Sequence, residues 1–446
     1  MSERATSSPY AVIVGLGVTG LSCARYLHAR GWRLAVTDTR AAPPGLAELT
    51  ALDARIPVRL GALDPGLLKD AVCVVASPGL PLSDAFFVAA RRSGLEIVGD
   101  IELFARAVAA PVAGITGTNG KSTVTTLLAR MAQRAGLSVQ VGGNLGEPAL
   151  DLLRPGTQLY VLELSSYQLE TTSTLACRAA TVLNVTADHL DRYGSLDSYA
   201  AAKARIFARC DTAVINLDDP LIVAMPQSAR RTLSFSLRAS IGADYAVASE
   251  HGQWWLTRRQ APLLPLTALK IKGLHNAANA LAALALGEAL ELPLPVMLEE
   301  LRVFPGLAHR SQWVAEVGAV TYIDDSKGTN VGATLAAVAG LPGPLVMILG
   351  GEGKNQDFAP LAAAFRGKVR HALLIGRDAP LIARALAGVC TLETCATLPD
   401  AVRSAARAAQ PGDTVLLSPA CASLDMFTDF AHRGAVFVQA VQELAA

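Results

Sequence analysis

The sequence predicts an α/β protein of three units in series, each built on a parallel sheet. Short β-rich runs ending in Gly, Ser, Asp or Asn alternate with helical patterns along the chain, among them AVIVG, LAVTD, VCVVASPG, VAGITG, LYVLELS, TVLNVT, AVINLD, LVMILGG, ALLIG and TVLLSP. That alternation is the signature of parallel strands joined by crossover helices. The length, 446 residues, corresponds to about three cores at roughly 150 residues each. Boundaries fall near Gly99, before the helical DIELFARAV, and in FPGLAHR, Phe304 to Arg310, where Pro and Gly separate two helix-rich stretches. The units are therefore residues 1–99, 100–305 and 306–446.

Composition narrows the partners. Lys plus Arg (39) balance Asp plus Glu (38) with no basic tail or stripe, so the long-range field that draws proteins onto nucleic acid is missing. The seven cysteines form no C-x-x-C pair, which fits reduced thiols and a cytosolic compartment. The apolar run Ala11 to Val18 has the length of a signal-peptide core, but it carries two glycines and leads into a helix, so it reads as a buried strand and turn. No stretch of about 20 apolar residues predicts a membrane span.

In the first unit, YAVIVGLGVTGLSCARYL runs a strand into Gly15, Gly17 and Gly20 at G-x-G-x-x-G spacing, then into an amphipathic helix with Leu21, Ala24 and Leu27 on one side. This is a Rossmann-like, diphosphate-binding turn. The run RLAVTD ends in Asp38, 18 residues past Gly20, about where a carboxylate meets the ribose of NAD. On these residues alone a dehydrogenase stays open.

The second unit holds the most informative stretch, VAGITGTNGKSTVTTLLARMAQRAG. A strand enters Gly114, Gly117, Thr118, Asn119 and Gly120, followed by Lys121, Ser122 and Thr123. The next helix has apolar Val124, Leu127, Leu128 and Met131, and Gly136 closes it. Glycines let N–H groups turn onto phosphate oxygens, Lys121 brings a charge to the β and γ phosphates, and the Ser122 hydroxyl suits Mg²⁺. Position 115 is Ile, so the strict G-x-x-x-x-G-K-[ST] pattern is not met, yet an ATP site is the reading. Glu163 ends a strand, His189 follows another and Lys203 sits on a helix in SLDSYAAAKARIF. Oxygen and imidazole donors suit a phosphate-bound divalent cation. Alone, Glu163 reads equally as a salt-bridged strand end and His189 as a surface residue. The segment from about 225 to 270, with HGQWWLT and two prolines, reads as antiparallel strands.

In the third unit, Asp325, Lys327, Thr329 and Asn330 follow one strand, Glu352 and Lys354 a second, and Ser418, Ser423 and Phe430 a third. Such donors at three strand ends suit an amino dicarboxylate, although either lysine alone reads as well as solvated.

Taken together, GITGTNGKST, ELSSYQL, NVTADHLDRY, GLHNAANALAA from Gly273 and DDSKGTN from Asp324 resemble the motifs of the Mur ligases across all three units, and most nearly those that add D-glutamate. The variant phosphate loop is that family's form. The resemblance implies a Rossmann-like N-terminal domain, a central P-loop-type ATPase domain and a Rossmann-like C-terminal domain. It implies an ATP-dependent, ADP-forming ligase that adds D-glutamate to UDP-N-acetylmuramoyl-L-alanine through an acyl phosphate, with Mg²⁺ at two sites. In that family the lysine matching Lys203 is carbamylated, and its carbamate binds Mg²⁺ with Ser122, Glu163 and His189. Lys121, Glu163, His189, Lys203 and Lys327 become the catalytic set, His189 also as acceptor of the amine's proton. ATP falls to residues 117–123 with Asn276, Asn279, Arg310 and Asp325.

For the UDP-substrate, the resemblance implies Val18 and Thr19 at the phosphates and Asp38, Thr39 and Arg40 at the uridine, with Ser77, Asn144 and His189. For D-glutamate it implies Thr329, Lys354, Ser423, Leu424 and Phe430. Glu352 stands where the family carries Asp. A monomer that closes about FPGLAHR is expected. Mur ligases of other amino-acid specificity (L-glutamate, L-alanine or a diamino acid) and folylpolyglutamate synthases are the alternatives inside this reading; an NAD-dependent oxidoreductase is the alternative outside it.

Overall fold

The computed structural model describes residues 8–226, 228–250 and 252–445; His251 of the HGQWWLT run lies outside them. The strands form three sheets of five, nine and six strands among the described residues. In the first, the order is Val58–Leu60, Arg33–Asp38, Tyr10–Val14, Cys73–Ala76, Glu96–Val98, and all pairings are parallel. Ala11 to Val14 are fully buried, as expected for a strand covered on both faces by crossover helices. The order reverses between Tyr10–Val14 and Cys73–Ala76, which puts Gly15 and Ser77 side by side at the crevice where doubly wound sheets bind ligands.

In the second sheet Val112–Thr116 lies third from one edge, between Cys177–Val182 and Leu159–Glu163, with Val139–Gly143 at the edge beyond the latter. From Cys177–Val182 it continues through Cys210–Asn216 to Arg231–Ser236, Tyr245–Glu250, Gln253–Arg258 and Ala261–Pro265. The expectation of antiparallel strands over 225–270 holds for Tyr245–Glu250, Gln253–Arg258 and Ala261–Pro265, which pair antiparallel in succession, and is corrected at Arg231–Ser236, which is parallel to both its neighbours and extends the parallel sheet as far as Tyr245–Glu250. The crossovers consist of one turn of helix, Pro220–Val223, and a 3₁₀ turn, Ala239–Ile241, too short to show helical periodicity in sequence. Helix Leu274–Ala289, rich in alanine and buried on most sides, packs against Lys121–Arg134.

The third sheet runs Gln312–Val317, Val320–Asp324, Thr414–Leu417, Leu345–Gly350, Val369–Ile375, Thr391–Thr394. Its one antiparallel member among the described residues, Gln312–Val317, is an edge strand that the sequence reading does not identify. All seven cysteines are free, and no described helix is long and apolar enough to cross a membrane. The motifs lie at the carboxyl ends of the strands, and those of the second and third sheets meet: Arg310 Nη2 donates to Ser122 Oγ at 2.7 Å, and Asn330 Nδ2 reaches Asn119 Oδ1 at 3.4 Å.

Candidate active site

The loop between Val112–Thr116 and Lys121–Arg134 is shaped by Gly117 at φ 149° and Gly120 at φ 84°, a region that L side chains rarely occupy. At Gly120 a Cβ would also lie 2.4 Å from Asn279 Oδ1. Asn184 holds the loop from the neighbouring strand end, accepting from Asn119 N at 2.8 Å and donating to Asn119 O at 3.0 Å. Lys121 Nζ donates to Gly117 O and Thr118 O, both at 3.0 Å. Ser122 Oγ donates to Glu163 Oε2 at 2.6 Å, and Asn144 Nδ2 donates to the other oxygen at 2.8 Å.

Beside this loop is a cavity of about 240 Å³ whose wall includes Asn276, Asn279, Arg310, Asp325 and Lys327 together with Gly120 and Thr123. Expected ATP residues of two sheets thus share one space, while Gly117, Thr118, Lys121 and Ser122 lie outside its wall. Burial lowers the pKa of Lys121, of Arg310 and of Lys327, the last to about 8, and the positive neighbours of the two lysines lower them further. Cations that depress one another bind a polyanion strongly, because its charge relieves both burial and repulsion. Burial raises Asp325 to about 7, against the opposing hydrogen bond from Ser418 Oγ at 2.8 Å.

Lys203 is 1% exposed. Its Nζ donates to Gly117 O at 2.9 Å and stands 4.4 Å from the Tyr199 ring centroid. Burial, followed by the charge of Lys121, drives its pKa well below the ordinary lysine value. His189 has φ 55°, an uncommon conformation outside glycine that concentrates at functional sites. Its ring packs edge-on against Tyr167 at 5.0 Å and Tyr199 at 6.1 Å. Burial lowers its pKa, Asp188 opposes, and Lys354 and Lys203 add to the lowering, a balance that favours the neutral imidazole. Among the described residues no hydrogen bond joins His189 to Glu163.

A separate groove of about 630 Å³ brings together every residue expected at the UDP-substrate except His189, from Val18 and Thr19 through Arg40 and Ser77 to Asn144. His189 touches Tyr167, which also lines the groove. The Asp38 carboxylate is 2% exposed and spent internally. One oxygen accepts from Arg40 N and Nε at 2.8 and 2.9 Å, the other from Leu16 N and Arg40 Nη2, both at 2.7 Å. Bonding to Arg40 holds its pKa down to about 2. Asp38 aims Arg40 and the Gly15–Gly17 turn, and has no acceptor left for a ribose hydroxyl. Tyr167 and Gln168 also line this groove and were missed by sequence reasoning. The signal was the S-x-x-Q capping box of Ser165 and Gln168, which opens helix Ser166–Glu170 two residues past Glu163.

At the third sheet, Lys327 Nζ lies 4.0 Å from the Phe430 ring centroid. Ser423 is buried, Leu424 is exposed, and Lys354 has φ 51°. Lys354 is close enough to His189 and Lys327 for its charge to lower both. Among the described residues no hydrogen bond links Thr329, Lys354 and Ser423 to one another. Glu352 accepts from Arg377 Nη1 at 2.9 Å, and its backbone pairs with Ala422 at 2.8 and 2.9 Å.

Comparison with known proteins adds a second line. Residues 10–99 match the family model described as Mur ligase MurD-like, N-terminal domain. Residues 115–287 match the Mur ligase middle domain, and 309–421 the Mur ligase, glutamate ligase domain. The chain is 51% identical to the UDP-N-acetylmuramoylalanine–D-glutamate ligase of Nitrosococcus oceani, over 97% of this chain and 96% of that protein. It is 50% identical to that of Pseudomonas aeruginosa, over 98% and 99%. Among solved structures it superposes on a pseudomurein peptide ligase type C from Methanothermus fervidus with TM-score 0.63, at 18% identity over 98% and 100% of the two chains. The UDP-N-acetylmuramate-alanine ligase of Thermotoga maritima gives 0.59, at 20% identity over 97% and 99%. At such identities the structural likeness shows the fold alone.

Proposed function

This chain belongs to the Mur ligase family, and from that premise we propose that it adds D-glutamate to UDP-N-acetylmuramoyl-L-alanine, with cleavage of ATP to ADP and phosphate, in peptidoglycan precursor synthesis. The observation that carries the reading is the convergence of Arg310 and Lys327 on one cavity between two sheets, beside the phosphate loop whose Lys121 is near enough for its charge to act on Lys327. The substrate carboxylate attacks the γ-phosphorus, and the bond to the ADP oxygen breaks. Two anions must approach, so neutralisation by these cations is the main demand. The D-glutamate amine then attacks the acyl phosphate carbonyl, and phosphate leaves as the amide forms. The ammonium must first lose a proton, and neutral His189 is suited to accept it.

Mg²⁺ fits the donors present: the Ser122 hydroxyl and the Glu163 carboxylate lie 2.6 Å apart, and this ion takes few protein oxygens, filling its shell with water and phosphate. When bound it supplies charge neutralisation at the phosphates. Carbamylation of Lys203 belongs to the proposal. A lysine of ordinary pKa, about 10.4, is neutral about one part in 2,500 at pH 7, an obstacle of about 5 kcal/mol. Burial of Lys203 works against that obstacle. The UDP diphosphate belongs on the Gly15–Gly20 turn, with Arg40 at its uridine.

The test is phosphate release from ATP and UDP-N-acetylmuramoyl-L-alanine with a panel of D- and L-glutamate, L-alanine, diamino acids and glutamylated folate. Release with D-glutamate alone is expected; release with another member reassigns the specificity, and no amino-acid dependence removes the ligase reading. In the same assay Lys203→Ala should be inactive and partly restored by short carboxylates. An active Lys203→Ala enzyme refutes the carbamate.

A further inference from the structure

Arg433, in the first turn of helix Phe430–Ala445, is 1% exposed and heads the fully buried side chains by volume. Its Nε donates to Ser326 Oγ at 3.0 Å and its Nη2 to Ser326 O at 2.7 Å. Nη1 reaches Cys421 O at 3.1 Å, Ala422 O at 3.4 Å and Gly350 O at 3.5 Å. Every acceptor it has among the described residues is a carbonyl or a hydroxyl, and none is a carboxylate. Burial lowers its pKa to about 10, which leaves it charged at neutral pH. Asp425, Asp324 and Asp325 oppose that lowering from a distance, but a buried cation with no carboxylate in hydrogen-bond contact is costly, and a cation at a helix N-terminus opposes the helix dipole. Neither the core nor the helix accounts for it.

Its acceptors do. They sit on three loops: Ser326 after Val320–Asp324, Gly350 at the end of Leu345–Gly350, and Cys421 and Ala422 after Thr414–Leu417. These loops carry Lys327 and Thr329, Lys354, and Ser423. Ser326 Oγ also donates to Phe430 O at 2.8 Å, so the helix bearing Phe430 is tied into the same knot. We infer that Arg433 is a positioning residue for the amino-acid substrate, pinning the three loops of its pocket and adding to their wall a positive charge that an acidic amino acid neutralises and a neutral one does not. The inference rests on the amino-acid ligase reading above.

The test compares Arg433→Met, Arg433→Lys and the wild-type full chain with D-glutamate and its neutral isostere D-glutamine. For Arg433→Met the KM for D-glutamate should rise at least about tenfold while those for ATP and the UDP-substrate stay within about threefold. Its kcat/KM preference for D-glutamate over D-glutamine should fall about tenfold, and Arg433→Lys should recover part of that preference. Should Arg433→Met not fold, Ser326→Ala removes one hydrogen bond from the guanidinium and should raise the D-glutamate KM about threefold in isolation. An unchanged D-glutamate KM, or three KM values rising together with the preference intact, overturns the inference. A wild-type chain that releases no phosphate with D-glutamate overturns the functional reading, and this inference with it.

Discussion

Single buried charges set the cost and the chemistry of this molecule. Asp100 begins helix Asp100–Ala105 with a side chain 1% exposed. One carboxyl oxygen accepts from Gln168 Nε2 at 2.9 Å, and the other has no partner among the described residues. Burial raises its pKa from 3.8 to about 6. The folded chain therefore holds this proton more tightly than the unfolded chain, and stability falls as pH rises from about 4 to about 6, then stays lowered. The displacement corresponds to about 3 kcal/mol as an upper figure. Asp100→Asn, which imitates the protonated carboxyl, should leave stability unchanged at pH 4 and raise it by about 1–3 kcal/mol at pH 8. Denaturant unfolding at the two pH values measures this. The same gain at both would show that the folded and unfolded chains bind this proton equally, so that burial does not shift the carboxyl.

At the scale of elements, the turn at Gly15 to Gly20 separates two uses of glycine. A Cβ on Gly20 would lie 1.9 Å from Gly15 O, a backbone atom that cannot swing away, whereas a Cβ on Gly17 meets nothing within 4 Å. Gly20→Ala should cost about 1–3 kcal/mol through overpacking. Gly17→Ala should leave the melting temperature within about 2 °C and instead raise the KM for the UDP-substrate about tenfold or more, because the diphosphate needs that backbone bare. A Gly17→Ala enzyme with wild-type KM would take the diphosphate off this turn.

The same contrast explains what the sequence made legible. Ala11 to Val14 and Leu345 to Gly350 are buried throughout, so they appear as unbroken apolar runs stopped by glycine. Gln312–Val317 is half-exposed, with Trp313 62% exposed, and its weak alternation carries little signal. Loops with glycine and lysine at fixed spacing announce phosphate chemistry locally. Arg433 announces nothing, because its acceptors are 11 to 107 residues away in sequence and only the closed sheet brings them near.

At the scale of the whole molecule, the first two sheets behave as one body. Val12's neighbours Ala11 and Ile13 share a continuous apolar cluster with Phe104, Leu162 and Phe207, whereas the third sheet keeps clusters of its own. Its contacts to the second sheet's unit are polar at the phosphate loop, Arg310 to Ser122 and Asn330 to Asn119 and Asp188, and beside them helix Val331–Gly340 packs on helix Leu274–Ala289. Interfaces of that kind open and close readily. The connection between the two, residues 304–311, holds Gly306 at φ 87°, His309 at φ 62° and Ser311 at φ 47°, and we propose FPGLAHR within it as the hinge. Substrates must enter a cavity walled by both sheets and product must leave it, so turnover should require this contact to break.

Gly332 and Thr186 face each other across it, a Cβ on the former falling 3.2 Å from the Cβ of the latter, slightly inside the usual disulfide spacing of about 3.5–4.5 Å. The double variant Gly332→Cys/Thr186→Cys, oxidised, should lose at least about nine-tenths of its turnover, and reductant should restore it. Both positions line the nucleotide cavity, and a Cβ on Gly332 would fall 2.8 Å from Thr186 Oγ1, so the control is that each single variant shows the same activity with and without reductant, as expected where six of the seven native thiols are buried. Full turnover in the verified cross-linked enzyme would mean that the second and third sheets stay together through the cycle, and that substrates enter by a route inside the closed molecule.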